Sequence, residues 1–213
     1  MRKRMAMRNQ TGLRRFWWGV LAAWFLAAAV AAHVGVFDAG SRDSVGVLLP
    51  VSLAVVLPVV VFAVWLRRSA RFRDFALSLN PAVLTAVQTC RVWGVLFLIL
   101  LARGRLPAAF AYPAGIGDVA IGITAPLVAY WYGRGRMKPR VFVLWQVAGL
   151  ADLVIAVGTG VLCSPTVIGV LATDGVTTRA MGVLPLSLIP TFAVPLLVML
   201  HVICIRRGKT ISQ

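Results

Sequence analysis

Six apolar runs, each about as long as a bilayer core is thick, leave this chain almost no soluble fold to adopt. They cover Phe16 to Val36, Gly46 to Leu66, Pro81 to about Ala102, Ala108 to Tyr132, Val141 to Leu162, and about Leu186 to Ile205. A helix that crosses a bilayer needs about 20 apolar residues, so every run is long enough. The connections between them are short, and nothing the size of a separate soluble domain remains. With 60% hydrophobic residues and a mean hydropathy of +0.89, a soluble domain of this length would lack the polar surface to cover itself. The expected fold class is an all-α membrane protein, a bundle of six transmembrane helices with one short interfacial amphipathic helix.

The basic residues set the expected orientation. Arg2, Lys3, Arg4, Arg8, Arg14 and Arg15 precede the first run. Arg67, Arg68, Arg71 and Arg73 follow the second, Arg134, Arg136, Lys138 and Arg140 follow the fourth, and Arg206, Arg207 and Lys209 follow the last. The opposite side has Arg42, Arg103, Arg105 and Arg179. The positive-inside rule then puts both termini in the cytoplasm. This divides the chain into a basic cytoplasmic N-terminus (1–15), a six-helix membrane domain (16–205) and a basic cytoplasmic tail (206–213). The N-terminus imitates a signal peptide, but its apolar run is longer than a usual signal core and other spans follow, so it reads as an uncleaved first helix. Trp17, Trp18, Trp65, Tyr130, Trp131, Tyr132 and Trp145 all fall at predicted cytoplasmic helix ends, where amphipathic rings prefer the interface.

The net charge of +16 is spread over these short clusters instead of one polar face, which argues against a nucleic-acid partner. The expected partners are the lipid bilayer and, at the basic loops, anionic headgroups. No protein partner can be read from the residues. Between the second and third runs, Phe72, Phe75, Ala76 and Leu79 share one helical face while Arg71, Arg73, Asp74 and Ser78 face elsewhere. That pattern predicts an amphipathic helix on the inner surface. Asn80 followed by Pro81 supplies an N-cap and a first-position proline for the third span. Pro113 and Pro126 are expected to kink the fourth unless neighbouring groups satisfy the freed carbonyls.

Glu is absent, so the six acids, Asp38, Asp43, Asp74, Asp118, Asp152 and Asp174, are the whole supply of carboxylates. Two of them fall inside spans, as does Arg91. Counted from the basic helix ends, Arg91 lies roughly 15 Å, Asp152 roughly 17 Å and Asp118 roughly 21 Å deep, which is one layer. A lone charge at mid-bilayer costs about 2.5 to 3.5 kcal/mol, so mutual pairing is expected. Asp152, closer in depth, is the expected partner of Arg91, with Asp118 nearer the outer face. Gln88, on the face of Arg91, and Gln146, below Asp152, extend the candidate binding layer. Gly115, Gly122, Gly149 and Ala156 flank the acids and are expected to let the fourth and fifth helices approach closely. The segment Gly115-Ile-Gly-Asp118-Val-Ala-Ile-Gly122 is similar to Gly149-Leu-Ala-Asp152-Leu-Val-Ile-Ala156, a short match compatible either with chance or with an inverted repeat.

No catalytic, metal or cofactor residues are expected. Cys90, Cys163 and Cys204 fall at three different depths and cannot pair. His33 and His201 are placed near opposite ends of their helices, roughly 18 to 20 Å apart in depth, too far to share a haem, and read as interfacial or structural. Zinc-type spacing, phosphate-cradling glycine loops and nucleophile elbows are missing.

The stretches Gly104-Arg-Leu-Pro-Ala-Ala-Phe-Ala-Tyr-Pro-Ala-Gly-Ile-Gly-Asp118 and Leu184-Pro-Leu-Ser-Leu-Ile-Pro-Thr-Phe-Ala-Val-Pro195, with His201 beyond, resemble a family of uncharacterised bacterial multi-spanning integral membrane proteins. The resemblance runs from about the second helix to the sixth. It implies a bacterial multi-spanning fold in the inner membrane and no assigned activity; Arg, Ala and Val usage with few Lys fits a GC-rich bacterial genome. Two functions remain open on the residues alone. One is a small ion- or proton-coupled carrier using the Arg/Asp layer; the other is a structural or accessory membrane subunit whose Arg-Asp pairing only fixes helix packing. A membrane-embedded enzyme is the weakest reading, because only the two Asp residues qualify as an acid/base pair.

Overall fold

The computed structural model describes residues 2–38, 45–172 and 175–210. The loop residues Arg42 and Asp43, and Asp174, lie outside the described residues. Among the described residues the chain is helical without strands, and six helices are long and apolar enough to cross a membrane: Arg15–His33, Leu49–Arg68, Pro81–Ala102, Ala108–Gly133, Pro139–Leu162 and Ile189–Gly208. These match the six apolar runs closely. The first helix, α1 (Arg2–His33), already begins in the basic N-terminal segment, and the last, α8 (Val194–Thr210), continues into the basic tail.

The helix α2 (Val45–Arg68) leads into the short helix α3 (Ala70–Ser78), whose first turn is capped by the Ser69 hydroxyl accepting from the Phe72 N–H at 3.2 Å. The apolar face read from the sequence is the packed one. Phe72 sits against Phe62 and Trp65, Trp17 of α1 reaches both Phe72 and Phe75, and Ala76 is buried. Arg71, Asp74 and Ser78 are exposed.

The third span is not one α-helix. Asn80 accepts from the Ala82 N–H at 2.9 Å and Pro81 opens the helix, as expected, to give α4 (Pro81–Val87). The chain then winds tighter into a 3-10 segment (Gln88–Gly94) before α5 (Val95–Ala102). At three residues per turn, side chains three apart eclipse, and Gln88, Arg91 and Gly94 form one buried line. Hydropathy does not see this change, because it reports which residues are present and not how tightly the backbone winds.

The helix α6 (Ala108–Gly133) packs along all three parts of that span and beside α7 (Pro139–Leu162), which in turn packs on α8. It runs on through Pro113 and Pro126 as a single helix. A second 3-10 turn (Thr178–Gly182) and a π turn (Ile189–Ala193), which carries Pro190, precede α8. α2 is held by α8, α3 and the π turn, whereas α1 lies at the edge with Trp24 and Phe25 on Phe192.

Among the described residues three apolar clusters fill the interior; the smallest joins Leu153 of α7 to Val194 and Leu197 of α8, and the two larger ones divide it end from end. One, including Leu66, Leu84, Phe142 and Ile203, fills the end where the basic loops lie. The other, with Phe97, Leu106, Phe110, Ala111 and Cys163, fills the loop end. The outward faces are apolar too, with Leu53, Val60, Ile116, Ile123, Leu144 and Val154 all exposed.

Candidate functional site

Arg91 stands between the two larger clusters on the buried line of the 3-10 segment, with only 2% of its side chain exposed. Each of its nitrogens has a partner. Nε donates to Asp118 Oδ1 of α6 at 2.6 Å, Nη2 to Asp152 Oδ2 of α7, and Nη1 to the Gly149 carbonyl at 3.1 Å. The guanidinium thus forks across two carboxylates: Asp152 is a partner of Arg91 as expected, and Asp118 is a second one. Each acid spends one oxygen on the arginine; among the described residues neither Asp118 Oδ2 nor Asp152 Oδ1 has a hydrogen-bond partner.

A neutral chain continues from the same arginine. Nη1 faces His201 Nε2 of α8 at 3.4 Å, and His201 Nδ1 lies 2.6 Å from Gln146 Oε1. Gln146 Nε2 donates to the Thr85 hydroxyl at 2.8 Å, and Thr85 donates to the Pro81 carbonyl at 2.8 Å. A proton on His201 Nδ1 satisfies both neighbours at once, because Nε2 then accepts from Arg91 and Nδ1 donates to Gln146. The bonds then all point the same way, from the charged layer toward the basic end.

Of the two readings open for the histidines, interfacial or structural, His201 takes the structural one: it is fully buried, whereas His33 is exposed. The sixth helix also reaches further than the expected end at about Ile205. α8 runs to Thr210, which sets His201 roughly two and a half turns from its end. Thr85 was missed altogether, since a threonine in an apolar helix carries no signal until its neighbours are known. Gln146 belongs to the site, but through His201 and not through Asp152. Gln88 is buried on the line of Arg91, yet among the described residues it bonds only the Leu197 carbonyl, at 3.5 Å.

Glycines make this crowding feasible, though not between the helices first expected. A Cβ at Gly122 would meet the backbone of Val92 and Arg91, and one at Gly115 would meet Leu98, so both serve contact with the third span. Gly149 gives way to His201 of the sixth span. The glycine that admits α7 to α6 is Gly117, whose missing Cβ leaves room for the Asp152 carboxylate. Ala156 packs in the loop-end cluster.

On the loop-end side a cavity of about 320 Å³ opens between α2 and the α5, α6 and α7 walls. Asp118 lines it; Asp152 and Arg91 do not. Its other walls are largely apolar, and Arg179 at the 3-10 turn, which pairs with Asp38 at 3.1 Å, also lines it.

Among the described residues no three His, Cys, Asp or Glu side chains gather as metal ligands, and Cys90, Cys163 and Cys204 are free thiols. The family model for a domain of unknown function, DUF8737, matches residues 48–207. The chain belongs to this family. No curated protein and no solved structure matches it. The DUF8737 match runs from α2 to α8, the stretch over which the resemblance was read, and takes in every member of the Arg91 network while leaving α1 outside. Membership of DUF8737 carries no activity and no source organism with it.

Proposed function

We propose that this protein spans the bacterial inner membrane six times, with both termini in the cytoplasm, and works as a small ion- or proton-coupled carrier through Arg91, Asp118 and Asp152. Six apolar helices with apolar outward faces support insertion, and the bias of Lys and Arg toward one end supports the orientation. In this reading α3 rests at the cytoplasmic interface, and the basic loops meet anionic headgroups.

The observation that carries the carrier reading is the position of Asp118, tied to Arg91 through one oxygen while lining a cavity. One guanidinium against two ionised carboxylates leaves a formal charge of minus one, and binding one proton or one cation cancels it. Charges that exist only to pack helices have no need of such an opening.

A structural or accessory role is the second reading, favoured by the glycines at 117, 122 and 149 moulded around the layer. Proteoliposomes carrying the protein, Asp118→Asn or Asp152→Asn, loaded with a pH-sensitive dye and given proton and alkali-cation gradients, separate the two. A carrier gives flux that Asp118→Asn abolishes at unchanged folded yield. Lack of flux in the parent under every gradient, with loss of folded yield in both variants, leaves the structural role.

A further inference from the structure

We infer that the loop-end cavity is a binding site for a lipophilic monocation, an apolar body bearing one protonated amine, with Asp118 as its counter-ion. This deepens the carrier reading, on which its role in transport rests. Val56 of α2, Phe97 of α5, Phe110 of α6 and Val157 of α7 supply walls that only an apolar body fits. About 320 Å³ is at the small end of the range typical of ligand pockets.

The polar end of the ligand follows from the groups that line the cavity. Asp118 and Arg179 are its charged residues, and Arg179 is already paired with Asp38, with roughly half of its side chain exposed. Asp118 is 14% exposed and has Oδ2 free among the described residues. A neutral apolar occupant leaves that oxygen without a donor, and an anion meets a carboxylate in a layer already negative. An ammonium group donates to Oδ2 and cancels the surplus charge, and a charge-assisted bond of this kind is about twice as strong as a neutral one. A proton on the same oxygen cancels the same charge, so proton and amine exclude each other at Asp118. That competition is the coupling an exchanger requires.

The test is calorimetric titration of the full chain in nanodiscs, against empty nanodiscs, with three probes of equal chain length: decylammonium, decanol and decanoate. Decylammonium should bind most tightly, and Asp118→Asn should weaken it by about tenfold or more while leaving decanol unchanged. Val157→Trp, which fills the cavity and leaves the charged layer intact, should abolish binding even where Asp118→Asn folds poorly. Decylammonium binding no tighter than decanol, or binding unaffected by Val157→Trp, overturns the inference. The carrier reading fails separately: binding as described without any flux in proteoliposomes removes the carrier and keeps the site. Proton flux without amine binding does the reverse.

Discussion

Gly149 of α7 lies so close to His201 of α8 that a methyl group at position 149 would sit 2.6 Å from His201 Cε1 and 2.8 Å from Nε2. The same glycine offers its carbonyl to Arg91. One small residue therefore holds the charged fork and the neutral chain together. Gly149→Ala should cost about 1 to 3 kcal/mol through overpacking, despite the better helix propensity of alanine. Thermal unfolding in detergent would measure it, and a variant as stable as the parent would show that His201 has room to move.

Arg91 is the next point of attack, because its loss strands two buried carboxylates. Arg91→Gln should destabilise by about 3 to 5 kcal/mol, as expected when one member of a buried ion pair is removed. Arg91→Lys should recover only part of that, since a single nitrogen on a shorter side chain cannot replace three nitrogens held in a plane toward Asp118, Asp152 and the Gly149 carbonyl. Adding Asp118→Asn and Asp152→Asn to Arg91→Gln should restore folded yield relative to Arg91→Gln alone, and a further loss would contradict the charge argument.

Thr85→Val keeps the shape of the side chain and removes the hydroxyl that accepts from Gln146. With Gln146 and His201 both fully buried, the orphaned donor should cost about 1 to 3 kcal/mol. Thr85→Ser should stay close to the parent. Equal melting temperatures for the valine and serine variants would mean that the neutral chain adds no stability.

Topology is tested by reporters fused after Arg73, Arg105, Arg136, Arg179 and Lys209. Those after Arg105 and Arg179 should report the outer side and the other three the cytoplasm. Arg105 is the most informative, because with Arg103 it opposes the charge bias. A cytoplasmic signal there would break the six-span reading.

Much of the site was legible before any coordinates. Three charges inside apolar helices of a chain with few acids have to meet, and similar expected depth named Arg91, Asp118 and Asp152. Depth alone could not say how they meet. The fork across both acids depends on the buried line created by the 3-10 winding between Gln88 and Gly94, which leaves no trace in hydropathy. The place of His201 in the network was not legible either, because a basic helix end does not mark where the backbone stops being helical. The glycines were singled out correctly as points of close approach, yet their partners were not.

Local composition dictates the set of six apolar helices, their boundaries to within a few residues, and the need for the buried charges to be neutralised. Those follow from local composition, length and the cost of placing a charge away from water. Only the tertiary structure decided which helices touch, that His201, Gln146 and Thr85 extend the charged layer into a hydrogen-bonded chain, and that Asp118 lines the cavity while Asp152 does not. In helices this uniformly apolar, hydrophobicity does not distinguish one face from another. Glycine gaps and a few polar side chains set the rotation of each helix, and their effect appears only when the neighbouring helix is in place.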